Sequence, residues 1–192
     1  MNLANKITLS RVLMVPLFLF FLLTDFIPSP YNQIISAIIF ILAASTDGLD
    51  GYIARKRKQI TNFGKFMDPL ADKLLVTAAL ISLVGMNKLD SWIAIVIIAR
   101  EFIVTGFRLI AVNEGIVIAA SIWGKIKTIS QIVAIVAILL DHFISTKLGL
   151  LFIVYGITIK FNVVLMWIAV IFTIYSGFDY INKNKEVINS NK

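Results

Sequence analysis

The chain has 192 residues, 59% of them hydrophobic and 15% charged, with a mean hydropathy of +0.90. Soluble domains average about 45–50% apolar and about 25% charged residues, so the composition excludes an ordinary soluble globule, a disordered chain and a collagen-like repeat. With no cysteine there is no disulfide framework, thiol nucleophile or cysteine zinc site, and the net charge of +7 has to be read by position along the chain.

A spanning helix needs about 20 largely apolar residues, and six stretches approach that length. They run from about Leu9 to Thr24, Asn32 to Ala54, Phe66 to Val84, Ser91 to Val112, Gly124 to Leu140 and Phe161 to Tyr180. The apolar runs are continuous rather than alternating, which favours helices over barrel strands. The expected fold is therefore all-α, an integral membrane bundle of six transmembrane helices with a polar N-terminal start, Asn2–Lys6. The first stretch is expected to be retained as a helix, because only Asp25-Phe26-Ile27-Pro28 follows it and no small-residue cleavage pattern does. Ser145–Lys160 contains Gly149 and Gly156 and is open between extending a span and lying at the interface. No repeat or linker divides the chain, so residues 1–192 read as one membrane domain, with 182–192 a loose polar tail.

The basic residues set orientation. Lys6 and Arg11, then Arg55, Lys56, Arg57, Lys58 and Lys65, then Arg108, Lys125 and Lys127, and finally Lys183, Lys185 and Lys192 all fall on one side of a six-span bundle. Lys88, Lys147 and Lys160 fall on the other. The bias predicts that both termini are cytoplasmic.

Acidic residues are scarce, yet Asp47, Asp50, Asp68 and Asp72 fall close together. Asp47, Asp50, Gly51 and Ala54 stand at i, i+3, i+4 and i+7, which is one helix face, and Gly64, Asp68 and Asp72 stand at i, i+4 and i+8 on another. Asp47 lies eight residues before Arg55 and Asp72 eight after Gly64. At about 1.5 Å per residue, an antiparallel hairpin brings the two acidic faces level, about 12 Å in from the helix ends. Pro69 is expected near the start of the third helix. Ionised carboxylates at membrane depth need compensation, and oxygen ligands without His or Cys suit Mg²⁺, Mn²⁺ or Ca²⁺. Enzymes with such ions commonly act on phosphates. Salt bridges to Arg55, Lys65 and Lys73, or a divalent-cation transport site, are the competing readings.

The string Asp47-x2-Asp50-Gly51-x2-Ala54-Arg55-x8-Gly64-x3-Asp68-x3-Asp72 resembles the signature of the CDP-alcohol phosphotransferase family at every defined position. The resemblance implies a six-helix membrane enzyme, usually a homodimer, that transfers a phosphoalcohol group from a CDP-linked donor to an alcohol and releases CMP. It implies that Asp47, Asp50, Asp68 and Asp72 hold one or two Mg²⁺ or Mn²⁺ ions and that Asp72 is the general base. It also implies that Asp47, Gly51, Ala54, Arg55 and Gly64, with Asn5 and Thr8, contact the CDP-lipid.

Three further segments resemble the members that pair CDP-diacylglycerol with glycerol 3-phosphate in phospholipid synthesis at the plasma membrane. These are Asn5-Lys-Ile-Thr8-Leu-Ser-Arg11, Arg100-Glu101-Phe102 through Thr105-Gly106-Phe-Arg108, and Gly115 through Gln131. Members that make cardiolipin, phosphatidylinositol phosphate or phosphatidylserine stay open as alternatives. The acceptor is a dianion, and Arg108, Lys125, Lys127 and Arg11 are the expected ligands of its phosphate. Lys125 and Lys127 are two apart, poor spacing for one helix face, so one of them is expected to face headgroups. Arg100 and Glu101 lie mid-helix and must be paired or face a cavity, with Glu101 a candidate brace for Arg108 or Lys125. No catalytic role is expected of His142, and Trp92, Trp123 and Trp167 read as interfacial or packing residues.

Overall fold

The computed structural model describes residues 3–57, 62–113, 121–142, 151–154 and 157–184, with side chains described at 9–46, 71, 73–111, 121–142 and 161–184. Among them are six helices: α1 (Leu3–Leu23), α2 (Tyr31–Arg57), α3 (Asn62–Gly85), α4 (Ser91–Asn113), α5 (Ile122–Leu139) and α6 (Phe161–Lys183). Each corresponds to one expected apolar stretch. The helices outrun the apolar stretches at their polar ends, so α1 absorbs the polar start, α2 reaches Arg57 and α3 begins at Asn62. Pro69 consequently lies inside α3 rather than near its start, and Pro16 lies inside α1. α6 continues to Lys183 and Asn184 Nδ2 donates back to the Tyr180 carbonyl at 2.7 Å, so the helix takes in the first residues of the tail expected from 182, and 185–192 lie outside the described residues.

Local chemistry sets several boundaries. Ser121 caps α5, its Oγ accepting from the Gly124 N–H at 3.1 Å. At the end of α3, Lys88 N donates to Leu83 O at 2.9 Å and Asn87 N to Val84 O at 3.0 Å, with Asn87 at φ 55°. This is a Schellman termination with asparagine in the left-handed position. The start of α2 is tied to the α3–α4 turn by Lys88 Nζ, which donates to Gln33 Oε1 at 2.8 Å.

Within Ser145–Lys160, the stretch left open between a span and the interface, the described residues are two strands: β1 (Leu151–Val154) pairs antiparallel with β2 (Ile157–Lys160), from Leu151↔Lys160 to Val154↔Ile157. This pair is a departure from the all-α expectation among the described residues, and both strands are rich in β-branched residues.

α1 lies along α2 and α3, and α5 lies along α6 and touches α2 and α3, while α4 bridges α3 and α6. Phe18, Phe40, Leu80, Leu83, Ile97, Ile135 and Val170 form the core, with Ala37, Ala43, Ala79, Ala134 and Ala169 allowing close helix approach. The outward faces are apolar on every helix: Leu13, Ile41, Ile81, Ile95, Ile129 and Ile171 are each 45–64% exposed. Meanwhile Arg11, Asn32, Gln33, Ser36, Lys127, Gln131 and Thr173 are buried. Polar inside and apolar outside is the arrangement a bilayer selects. Among the described residues, α5 and α6 are long and apolar enough to cross a membrane by length and composition. The described parts of α2 and α3 carry the apolar stretches Tyr31–Thr46 and Lys73–Gly85.

Candidate active site

The acidic motif occupies two helices that contact each other. Asp47, Asp50, Gly51, Ala54 and Arg55 lie on α2, and Gly64, Asp68 and Asp72 on α3. Asp47 stands ten residues before the end of α2 and Asp72 ten after the start of α3, so each lies about 15 Å along its helix from that end. The backbone thus supplies the helical register that the spacing required. The side chains of these residues, and of Asn5 and Thr8, lie outside the described set.

Two groups of described side chains flank this motif. On one flank, Arg11 of α1 is 1% exposed and donates from Nε to Thr46 Oγ1 at 3.3 Å. Thr46 immediately precedes Asp47, and its hydroxyl donates to the Ala43 carbonyl at 2.7 Å. A guanidinium is thereby held at the mouth of the acidic segment, within the bundle.

On the other flank, Glu101 of α4 is the centre of an ionic cluster. Its Oε1 pairs with Lys127 Nζ of α5 and stands 3.5 Å from Arg100 Nη1, while Oε2 is 3.9 Å from Lys73 Nζ of α3. Lys73 directly follows Asp72. Arg100 also reaches α6, donating from Nη2 to Ser176 Oγ at 2.9 Å. Gln131 Nε2 donates to Thr173 Oγ1 at 3.4 Å, a polar tie between α5 and α6. A cavity of about 20 Å³, lined by Lys73, Val76, Glu101, Lys127, Thr128 and Gln131, lies within the cluster. It is close to the size of a single water.

Of the four expected acceptor-phosphate ligands, Lys127 and Arg11 are buried whereas Arg108 and Lys125 are exposed. The two-residue offset between Lys125 and Lys127 divides them as expected, one outward and one into the bundle. Among the described residues the ion pairs of Glu101 are with Lys127, Arg100 and Lys73 rather than with the expected Arg108 or Lys125. Arg108 is two turns further along the same helix, about 10 Å away along the axis, and Lys125 turns outward. Thr46 and Lys73 were not singled out as site residues. Their adjacency to Asp47 and Asp72 was the available signal.

The opposite end of the bundle holds a separate cavity of about 470 Å³, bordered by Asn87, Lys88, Asp90, Ser91, Asn162 and Trp167. Trp92 and Trp167 pack there at 5.2 Å, and the exposed His142 follows α5 at that end, far along the helices from the motif. Trp123 sits at the motif end, edge-on to Tyr175 at 4.7 Å.

Comparison with known proteins bears directly on this arrangement. Residues 1–175 match the family described as CDP-alcohol phosphatidyltransferase. The chain is 45% identical to a Bacillus subtilis protein named CDP-diacylglycerol–glycerol-3-phosphate 3-phosphatidyltransferase, over 97% of each chain. Proteins of the same name from Rickettsia bellii and Haemophilus influenzae are each 35% identical, covering 96% of this chain and 96% and 94% of their own. The matched range takes in both motif helices and the helices carrying Arg100, Glu101 and Lys127. On these grounds the chain belongs to the CDP-alcohol phosphatidyltransferase family.

Proposed function

We propose that the protein transfers the phosphatidyl group from CDP-diacylglycerol to the 1-hydroxyl of sn-glycerol 3-phosphate, giving phosphatidylglycerophosphate and CMP. The observation that carries this reading is the cationic flank beside the motif helices. One carboxylate, Glu101, gathers Lys73, Arg100 and Lys127 beside the motif helices, a group of cations suited to an anionic acceptor. Near-full-length relatives named for this reaction support the same substrates.

Asp47, Asp50, Asp68 and Asp72 would hold one or two divalent cations, Mg²⁺ or Mn²⁺. The donor set fits, being all oxygen and placed by helix spacing at similar depth on two adjoining helices. Bound there, the cation supplies charge neutralisation to the diphosphate and the departing CMP. Asp72 accepts the proton of the acceptor hydroxyl as its oxygen bonds to the phosphorus bearing diacylglycerol and the bond to CMP breaks. Direct transfer needs no nucleophile from the chain. Lys127 and Arg11 from within the bundle, with Arg108 and Lys125 from its surface, orient the acceptor phosphate. Gly51, Ala54 and Gly64 leave room for the cytidine diphosphate against the helix backbone, and Asn5, Thr8 and Arg55 contact it.

The outward apolar faces of all six helices support a multi-pass protein of six spans in the plasma membrane. The basic bias puts both termini and the motif end at the cytoplasmic side. The homodimeric state of the family is proposed for this chain as well.

The test is CMP release by purified protein in detergent with CDP-diacylglycerol, glycerol 3-phosphate and Mg²⁺ or Mn²⁺. The expected result is release that requires glycerol 3-phosphate and is lost in Asp72→Asn. Release with serine, inositol phosphate or phosphatidylglycerol but not with glycerol 3-phosphate overturns the acceptor. Divalent-cation flux in sealed vesicles without any CDP-lipid requirement overturns the enzyme.

A further inference from the structure

We infer that Glu101 is a positioning residue for the acceptor phosphate, acting through Lys127. The inference rests on the proposed reading of Lys127 as a ligand of that phosphate.

Glu101 occupies the middle of α4, where an ionised side chain is tolerated only if paired or turned inward. It is paired three times, with cations contributed by α3, α4 and α5. These contacts are unequal. Arg100 has a second hold on Ser176 of α6, which divides its guanidinium between Glu101 and α6. Lys73 stands off at 3.9 Å. Lys127 pairs with Glu101 from within the bundle, its side chain 3% exposed. A lysine ammonium sits on a flexible four-carbon stem and does not hold its own direction. Inside the bundle Glu101 sets that direction, and through Lys73 it ties Lys127 to the residue following Asp72.

A carboxylate repels a phosphate, so Glu101 is unsuited to be a ligand of the acceptor. The cavity it borders, about 20 Å³, is too small for glycerol 3-phosphate. Its contribution is therefore indirect. It compensates part of the positive charge while the site is empty and leaves Lys127 aimed when the dianion arrives.

The experiment measures KM for each substrate and kcat by CMP release, using the full chain in detergent. It compares wild type, Glu101→Gln, Glu101→Asp, Lys127→Met and the Glu101→Gln/Lys127→Met double variant. Protection against thermal unfolding by glycerol 3-phosphate alone is recorded beside it. Glu101→Gln is expected to raise KM for glycerol 3-phosphate about ten- to a hundredfold, the effect of one charge-assisted hydrogen bond. KM for CDP-diacylglycerol is expected to stay within about twofold. Glycerol 3-phosphate should no longer protect Glu101→Gln, and Glu101→Asp should recover part of both losses. In the Lys127→Met background, Glu101→Gln should add little. Equal rises in both KM values, or an undiminished Glu101→Gln effect in that background, overturn the inference and assign Glu101 a purely structural role. If Glu101→Gln does not fold, Glu101→Asp alone and combined with Lys127→Met gives the same comparison. Wild-type protein that uses a different acceptor defeats the proposed function instead, and the coupling is then scored on the KM of that acceptor.

Discussion

Arg11 Nε and Thr46 Oγ1 meet at 3.3 Å across the α1–α2 contact, one residue ahead of Asp47. The Thr46 hydroxyl accepts from the guanidinium and donates to the Ala43 carbonyl, so its two roles are fixed together. Thr46→Val keeps the shape and removes the acceptor. Because Arg11 is buried, a donor bond is lost without water to replace it, at a cost of about 1–3 kcal/mol. Thr46→Val should lower the thermal midpoint in detergent and reduce CMP release, whereas Thr46→Ser should stay close to wild type. Equal behaviour of the two variants would show that the bond carries no weight.

Asn87 gives a prediction that is separate from the site. Its φ of 55° places it in the left-handed region, where a side chain beyond Asn or Gly costs about 1–2 kcal/mol. Asn87→Ala should destabilise by about that amount, and Asn87→Gly should be neutral within about 0.5 kcal/mol. Thermal unfolding in detergent measures both. KM for either substrate should be unchanged, because the turn lies at the end of the bundle remote from the motif.

These two positions also show what the sequence makes legible. The six helices were readable because each carries a long apolar run, and the acidic motif was readable because its members are close in the chain and helical spacing relates them. Helix ends were read short at Arg57 and Asn62, since hydropathy falls where charged residues begin although the backbone hydrogen bonds continue. The partner of Glu101 was not readable. Lys127 and Lys73 reach it from other helices, and only packing decides which of several cations a mid-helix carboxylate meets. The strands at 151–154 and 157–160 were not foreseen, because the alternatives for Ser145–Lys160 were a spanning or an interfacial segment, and a short apolar run does not by itself distinguish strand from helix.

Gly177 on α6 faces Arg100, and a Cβ there would lie 3.3 Å from Arg100 Cγ. Gly177→Ala gains about 0.5–1 kcal/mol of helix propensity and asks Arg100 to yield by a few tenths of an ångström, so the net change should stay within about 1 kcal/mol. Gly177→Leu fills the space the guanidinium stem uses and should break the 2.9 Å bond from Arg100 Nη2 to Ser176. A bond to a charged group is worth about 1.5–3 kcal/mol. The leucine variant should therefore unfold at a clearly lower temperature. Matching midpoints for the alanine and leucine variants would mean that α4 and α6 do not depend on this close approach.

The proposed cation site makes the sharpest demand on the acidic motif. Four carboxylates on two adjoining helices repel one another unless a cation lies among them, and a hard divalent ion suits an all-oxygen donor set. Chelation should therefore abolish CMP release, and Mg²⁺ or Mn²⁺ should restore it. The same cations should raise the thermal midpoint of wild-type protein, since binding to the folded state stabilises by mass action. Asp68→Asn removes one charge and should weaken that stabilisation while lowering CMP release at least about a hundredfold, in line with a catalytic electrostatic contact. Asp179, paired with Lys183 at 2.8 Å on the last turn of α6, provides the control, and Asp179→Asn should leave both readouts unchanged. Full activity in chelator, or an unaltered metal response in Asp68→Asn, would remove the metal from the reaction and return the acidic motif to a packing role with its neighbouring cations.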